Sequence, residues 1–81
     1  MTEVQIAQLI QDIARNEGIE VEALVQGAAV DTLTVTLYST GTTTLREEFT
    51  VPQPEHGEAR EEFIGTVREH IRAIKGKLGQ I

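Results

Sequence analysis

The chain has 81 residues, with 13 Asp and Glu against 7 Lys and Arg, a net charge of −6 and no cysteine. This length is below the usual domain size of roughly 100–150 residues and predicts a single domain spanning 1–81. Its 40% hydrophobic and 25% charged residues are typical of a globular protein. The absence of cysteine excludes disulfides and thiol catalysis. The acidic balance argues against a nucleic-acid partner, because binding phosphates needs a basic surface.

The N-terminus carries no recognisable targeting signal. Residues 1–4 lack the basic region and the continuous apolar run of a signal peptide. No apolar stretch approaches the roughly 18–20 residues that are needed to cross a bilayer. We therefore expect a cytoplasmic protein without membrane contact.

The first predicted element is a helix over 3–16 with a start signal and a stop signal. Thr2 and Gln5 have the spacing of a capping box, in which two side chains satisfy free backbone N–H groups at the helix start. Gly18 is suited to the left-handed conformation that often ends a helix. The apolar residues recur at the spacing of one helix face: Ile6, Leu9, Ile10 and Ile13.

Three strands are predicted next, because the apolar pattern changes to a period of two. The second strand is the clearest, with Leu and Val on one side and Thr and Tyr38 on the other. The predicted elements are a strand at 19–26, a turn or bulge at 27–31, a strand at 33–38, a turn at 39–42 and a strand at about 43–51. Residues 21–25 also fit a helix.

The last predicted element is a helix that follows Pro52 and Pro54. Proline ends the third strand because it lacks a backbone N–H, and Pro54 is suited to the first position of the helix. The apolar residues of this helix are Phe63, Val67, Ile71, Ile74, Leu78 and Ile81. The predicted order is therefore α-β-β-β-α, an α+β fold in which a three-stranded antiparallel meander packs against two helices.

Motifs for catalysis or ligand binding are absent. His56 and His70 lie outside any recognisable motif, and no HExxH, phosphate loop or nucleophile elbow occurs. The ligand spacing of an EF-hand is also absent. We therefore expect no enzyme, no cofactor and no metal.

Glu47 is the one residue that conflicts with its pattern, since alternation places it on the apolar strand face with Phe49. An unpaired buried carboxylate costs several kcal/mol. A bulge or a strand edge could turn it toward water, or a basic residue such as Arg60 could pair with it. In a third interpretation it is a pocket carboxylate with a raised pKa, which together with His70 forms an enzyme or small-ligand site.

The surface predicted to contact other proteins is the C-terminal helix together with an acidic patch. An acidic patch would attract a basic partner, and its members are Glu47, Glu48, Glu58, Glu61 and Glu62. The Thr-rich side of the second strand stays open if the helices cover only one face of the sheet.

The length of the last helix predicts a homodimer. Phe63 to Ile81 spans about 27 Å, whereas three strands are only about 10–15 Å wide. Unless the helix runs along the strands, its end overhangs the sheet and exposes an apolar stripe to a second copy. The predicted interface residues are Val67, Ile71, Ile74, Leu78 and Ile81.

The element order resembles that of the double-stranded RNA-binding domain in topology alone. That domain has lysines at the start of its last helix, so RNA binding is excluded for this chain, which has glutamates there: Glu55, Glu58, Glu61 and Glu62. Small acidic inhibitors carried by mobile elements, including some anti-CRISPR proteins, are similar in size, charge and element order.

The leading interpretation is a small acidic, non-enzymatic interaction module, an adaptor or regulator that forms homodimers. The alternative is an acidic inhibitor that mimics the charge of a nucleic acid. A second alternative is a small-ligand binder or enzyme that uses Glu47 and His70.

Overall fold

The computed structural model describes residues 2–41, 44–55 and 57–79, and its elements follow the order α-β-β-β-α. The elements are α1 (Glu3–Asn16), β1 (Val21–Ala29), β2 (Thr32–Ser39), β3 (Arg46–Pro52) and α2 (Glu58–Leu78). The strands form one antiparallel sheet in the order β1-β2-β3. The predicted α+β fold, a three-stranded antiparallel meander with two helices, is confirmed. The features predicted at Thr42, Thr43, His56 and Ile81 lie outside the described residues.

Helix α1 begins and ends where the local signals predict. The Thr2 hydroxyl accepts from the Gln5 backbone N–H at 3.2 Å, and the Gln5 side chain accepts from the Thr2 backbone N–H at 2.9 Å. Gly18, just beyond the helix, has a φ of +86°, a conformation that side chains disfavour. Both ends of this helix are therefore determined by short-range contacts.

Strand β1 begins later and extends further than the predicted range of 19–26, and the helical alternative for 21–25 is wrong. It pairs with β2 as far as Ala29, which lies opposite Thr32. The register shifts between Gly27 and Ala29, where the turn or bulge is predicted, but this irregularity lies within the strand. Pairing with β2 outweighs the weak strand preference of glycine and alanine.

Strand β3 and helix α2 also begin later than expected. β3 begins at Arg46 rather than at about 43, and α2 begins at Glu58 after Gly57. The prediction that Pro54 opens the helix is wrong. Pro54 is fully buried in the connection, and Gly57, with a φ of +66°, makes the turn that the helix start needs.

Both helices cover the same face of the sheet and enclose one core. Helix α2 runs back along β3, since His70 contacts Phe49 and Lys77 contacts Glu47. The buried apolar residues are Ile6, Ile10, Ile13, Ala14, Val21, Val25, Leu33, Val35, Leu37, Phe49, Val51, Phe63, Val67, Ile71 and Ile74. Neither described helix is long and apolar enough to cross a bilayer.

The course of α2 corrects the predicted dimer interface. Val67, Ile71 and Ile74 are each 0% exposed, and Leu78 packs partly buried against the same core. The helix lies along the strands, so these residues contact the sheet of their own chain and offer no exposed stripe. The predicted exposure is wrong for these residues, Ile81 lies outside the described residues, and dimerisation itself stays a prediction.

Candidate functional site

Glu47 lies on the helix-covered face of the sheet, as the alternation of β3 predicts. It is opposite Leu37 in the register and shares this face with Phe49 and Val51. Its side chain is 21% exposed, so the carboxylate lies at the margin of the core. A charged group at such a position needs partners, because part of its hydration is lost.

Two side chains of α2 supply those partners. His70 Nδ1 lies 3.0 Å from Glu47 Oε1, and Lys77 Nζ donates to Glu47 Oε2 at 3.3 Å. Because an ionised carboxylate only accepts, Nδ1 is the donor in the first contact. The His70 ring stacks on Phe49 with ring centroids 4.0 Å apart and planes within 2°. The cluster of Glu47, His70, Lys77 and Phe49 is called the β3–α2 cluster below.

The partners stabilise the charged form of Glu47. The hydrogen bond from His70 lowers the pKa of this carboxyl below its ordinary value of 4.5, burial opposes that change, and Lys77 lowers the pKa further. The interpretation of a pocket carboxylate with a raised pKa is therefore wrong. The alternative in which a basic residue pairs with Glu47 is confirmed, but the partners are His70 and Lys77 instead of Arg60.

A histidine held by a carboxylate is the arrangement that general acid–base catalysis uses, since the carboxylate fixes the orientation of the imidazole. Here the same carboxylate also binds Lys77, and the ring lies flat on Phe49. The cluster therefore joins α2 to the edge of the sheet. Within 2–41, 44–55 and 57–79, no group of three or more His, Asp and Glu side chains is arranged to hold a metal ion.

A second charged cluster, which the sequence reasoning missed, joins α2 to the end of α1. Glu17 Oε1 accepts from Arg72 Nε at 3.1 Å and lies 3.4 Å from Arg68 Nε. Lys75 Nζ donates to the Glu17 backbone carbonyl at 2.7 Å. Positive charge at a helix C-terminus is favourable. The sequence does place three basic residues on one side of α2, at 68, 72 and 75. It does not reveal their partner, because Glu17 is distant in the sequence.

The five acidic residues predicted as one patch do not lie together. Glu47 and Glu48 are consecutive in β3 and point to opposite faces of the sheet. Glu48 Oε2 accepts from Arg46 at 2.9 Å and from the Thr36 hydroxyl at 3.5 Å. The other three members, Glu58, Glu61 and Glu62, are exposed at the start of α2. Lys77, which binds Glu47, is about 22 Å further along the helix than Glu62. Glu47 is therefore far from the three glutamates at the start of α2.

The remaining large feature is the sheet face that neither of the described helices covers, called the open face below. Its residues in register are Glu22, Tyr38 and Arg46 in one row, Leu24, Thr36 and Glu48 in the next, and Gln26, Thr34 and Thr50 in the third. Leu24 is 46% exposed in the middle of β1. The Thr36 side chain is enclosed by these neighbours and is 5% exposed. The face is thus mostly uncharged and rich in hydroxyl groups.

Comparison with protein-family models, with curated proteins and with solved structures finds no match for this chain.

Proposed function

We propose that this chain is a small acidic, non-enzymatic protein-interaction module of the cytoplasm, an adaptor or regulator, and that its open face contacts the partner. The supporting observation is the unequal covering of the sheet: both helices pack on one face, and the other face carries exposed Leu24. A sheet face without a covering layer is free to pack against a second protein.

The composition of the open face suits a protein partner. Leu24 and Tyr38 are an aliphatic and an aromatic anchor on this face: Leu24 lies opposite Thr36, and Tyr38 lies opposite Glu22 and Arg46. Interfaces commonly combine a few such anchors with polar neighbours. Arg46 and Glu48 pair with each other at 2.9 Å, so the net charge of this face is small. A partner with a weakly charged surface fits it better than a polyanion or a strongly basic groove.

Site-specific crosslinking tests the proposal. A photoreactive residue at Thr34, in the central strand of the open face, should capture one discrete partner in native cells. The same residue at Gln8, which is exposed on α1, should not capture it. The captured protein is then purified, and its affinity for variants of the chain is measured.

The variants Thr34→Lys and Gln8→Lys form a matched pair, because each adds one positive charge at a surface position. We expect Thr34→Lys to weaken partner binding by at least about tenfold, since a lysine must be desolvated inside the contact. Gln8→Lys should change the affinity less than about twofold. Equal effects of the two variants, or equal crosslinking from both positions, would place the contact elsewhere and overturn the proposal.

The exposed carboxylates at the start of α2 favour one further candidate, an acidic inhibitor that binds a basic protein groove. Glu58, Glu61 and Glu62 are all exposed there. Binding by this surface should weaken steeply as salt rises, because exposed charges are screened. Replacing these three residues by glutamine should abolish it, whereas Thr34→Lys should not.

The contact between Glu47 and His70 supports the enzyme or ligand-binding alternative less well. The carboxylate already has a partner on each oxygen, so the structural role of joining α2 to β3 accounts for it. If this cluster carried the function, Glu47→Gln would abolish the activity of the chain while partner binding by the open face stayed intact.

A further inference from the structure

The sheet has two edges, and they differ in how they are protected against pairing with another strand. The strand order β1-β2-β3 makes β1 and β3 the edge strands. An edge strand presents unpaired backbone N–H and C=O groups to any strand that approaches. Proteins limit such pairing with proline, with lysine, with charges that point inward, or with bulges.

Strand β3 carries several of these protective features. It ends at Pro52, which has no N–H to donate. Glu47 is a charge that points toward the helix layer, where His70 and Lys77 hold it. Arg46 and Glu48 add charges on the other face. A strand added at this edge would have to pass three consecutive charged residues.

Strand β1, all of whose residues are described, lacks these features over most of its length. It contains no proline and no lysine, and its centre is Ala23-Leu24-Val25. Its regular pairing with β2 runs over residues 21–27, and the register shifts beyond Gly27. This regular segment is centred on Leu24, which is 46% exposed.

We propose that two copies of this chain associate through their β1 edges, antiparallel and about a two-fold axis at Leu24, into one continuous sheet. The register follows from the symmetry. Leu24 faces Leu24 of the second copy, Ala23 faces Val25 of the second copy, and Glu22 faces Gln26 of the second copy. In each pair the two position numbers are both even or both odd. Open-face residues therefore meet open-face residues, and residues of the helix-covered face meet residues of the same face.

This register explains why a second copy fits the edge. On the helix-covered side it sets Ala23 against Val25 and extends the apolar layer, and on the open face it sets Leu24 against Leu24. No two carboxylates are directly opposite, because Glu22 meets an amide. Pairing over residues 21–27 adds about six to eight backbone hydrogen bonds, depending on which alternating set points outward.

The proposed dimer is reversible, because a contact along one edge buries less than the roughly 800 Å² per partner of a standard interface. The edge contact is made mainly by backbone groups of β1, whereas the open face is centred on side chains of β2, and Leu24 belongs to both surfaces. Sedimentation of the chain alone measures the edge contact, and partner binding by Thr34→Lys measures the open face. The two proposals can therefore fail separately.

Charge substitutions at Gln26 test the register directly. Gln26→Lys places a lysine opposite Glu22 of the second copy, and this pair occurs twice in each dimer. It should lower the dissociation constant of the dimer about three- to tenfold. Gln26→Glu places like charges opposite each other and should raise the dissociation constant by a similar factor. Gln26 is exposed, so neither variant disturbs the core. Analytical ultracentrifugation over about 5–500 µM measures both, a range suited to weak interfaces.

The matched controls are Thr50→Lys and Thr50→Glu. Thr50 is exposed on the same face but in β3, so these variants make a comparable change to the net charge away from the β1 edge. They should differ from each other by less than about twofold in the dissociation constant. Amide hydrogen exchange should also slow with concentration in residues 21–27 and stay constant in β3.

Three results would overturn the inference. The native chain could sediment as a monomer over the whole range. The Gln26 pair and the Thr50 pair could shift association equally, which would mean that net charge alone acts. The concentration-dependent protection could fall outside residues 21–27, which would place the dimer contact on another surface.

Discussion

The two faces of the sheet are built from alternate residues of the same three strands, yet they differ in what they contact. On the helix-covered face, Val35 and Leu37 are each 0% exposed and belong to the core cluster that includes residues of both helices. On the open face, the neighbouring Thr34 and Tyr38 remain partly exposed. The covered face therefore holds the fold together, and the open face is the surface that we propose for a partner.

Glu47 and Glu48 show the same contrast within two consecutive residues. Glu47 lies on the covered face, where His70 and Lys77 bind it and its pKa is lowered. Glu48 lies on the open face with a side chain that is 54% exposed and pairs with Arg46. The period of two in a strand separates their roles, although the sequence presents them as one acidic run.

The largest effect should come from comparing truncations on the two faces of β2. Leu37→Ala should lower the free energy of unfolding by about 2–5 kcal/mol, because it leaves a cavity in the core. Thr34→Ala should lower it by no more than about 0.5 kcal/mol. Urea denaturation of both variants measures the difference. Similar losses from the two would show that the open face is also packed and would remove the contrast.

The next largest effect should be the difference in stability loss between variants of the two consecutive glutamates. Glu47→Gln should cost about 1–2 kcal/mol, because it weakens hydrogen bonds from His70 and Lys77 to a charged group. Glu48→Gln should cost less than about 0.5 kcal/mol, as is usual for an exposed ion pair. Chemical denaturation at neutral pH compares them. If the Glu48 variant lost as much as the Glu47 variant, the β3–α2 cluster would have no special role.

A smaller effect should be the pH dependence of the stability that Glu47 contributes. Since folding lowers the pKa of Glu47, its contribution is present above the ordinary value of 4.5 and is lost as pH falls through the lower folded value. The stability difference between the native chain and Glu47→Gln should therefore shrink as pH falls below 4.5. Unfolding curves from about pH 5 down to about pH 3 test this. A difference that grows over this acid range would contradict the assigned direction.

The smallest effect concerns the contact between the helices. Glu17→Gln should lower stability by no more than about 1 kcal/mol at low salt, because Arg68 and Arg72 are largely exposed partners. The loss should diminish at high salt, where exposed charges are screened. Thermal unfolding at two salt concentrations measures it, and a loss that did not change with salt would indicate packing instead of charge.

Elements with local signals were predictable from the sequence. The capping box at Thr2 and the glycine at position 18 define α1, and alternation defines β2. The additional length of β1 was not predictable, because Ala29 is in a strand only through its pairing with Thr32. Local composition carries no information about such a contact.

The site was only partly predictable, for the same physical reason. Alternation correctly placed Glu47 on the apolar face, but its partners His70 and Lys77 are 23 and 30 residues away. The apolar arc of α2 was also correct, while its burial depended on the direction of the helix along the strands. Periodicity defines the face of an element and leaves open which other element covers it.

The most direct test of the central claim is a cross-saturation NMR experiment on the chain bound to the partner captured through Thr34. Saturating the partner should attenuate the methyl signals of Thr34, Thr50 and Leu24 on the open face. The methyl signals of Val4, which is 67% exposed on α1, should keep their intensity. Attenuation at Val4 with unchanged signals from Thr34 and Thr50 would contradict the claim that the open face is the contact surface.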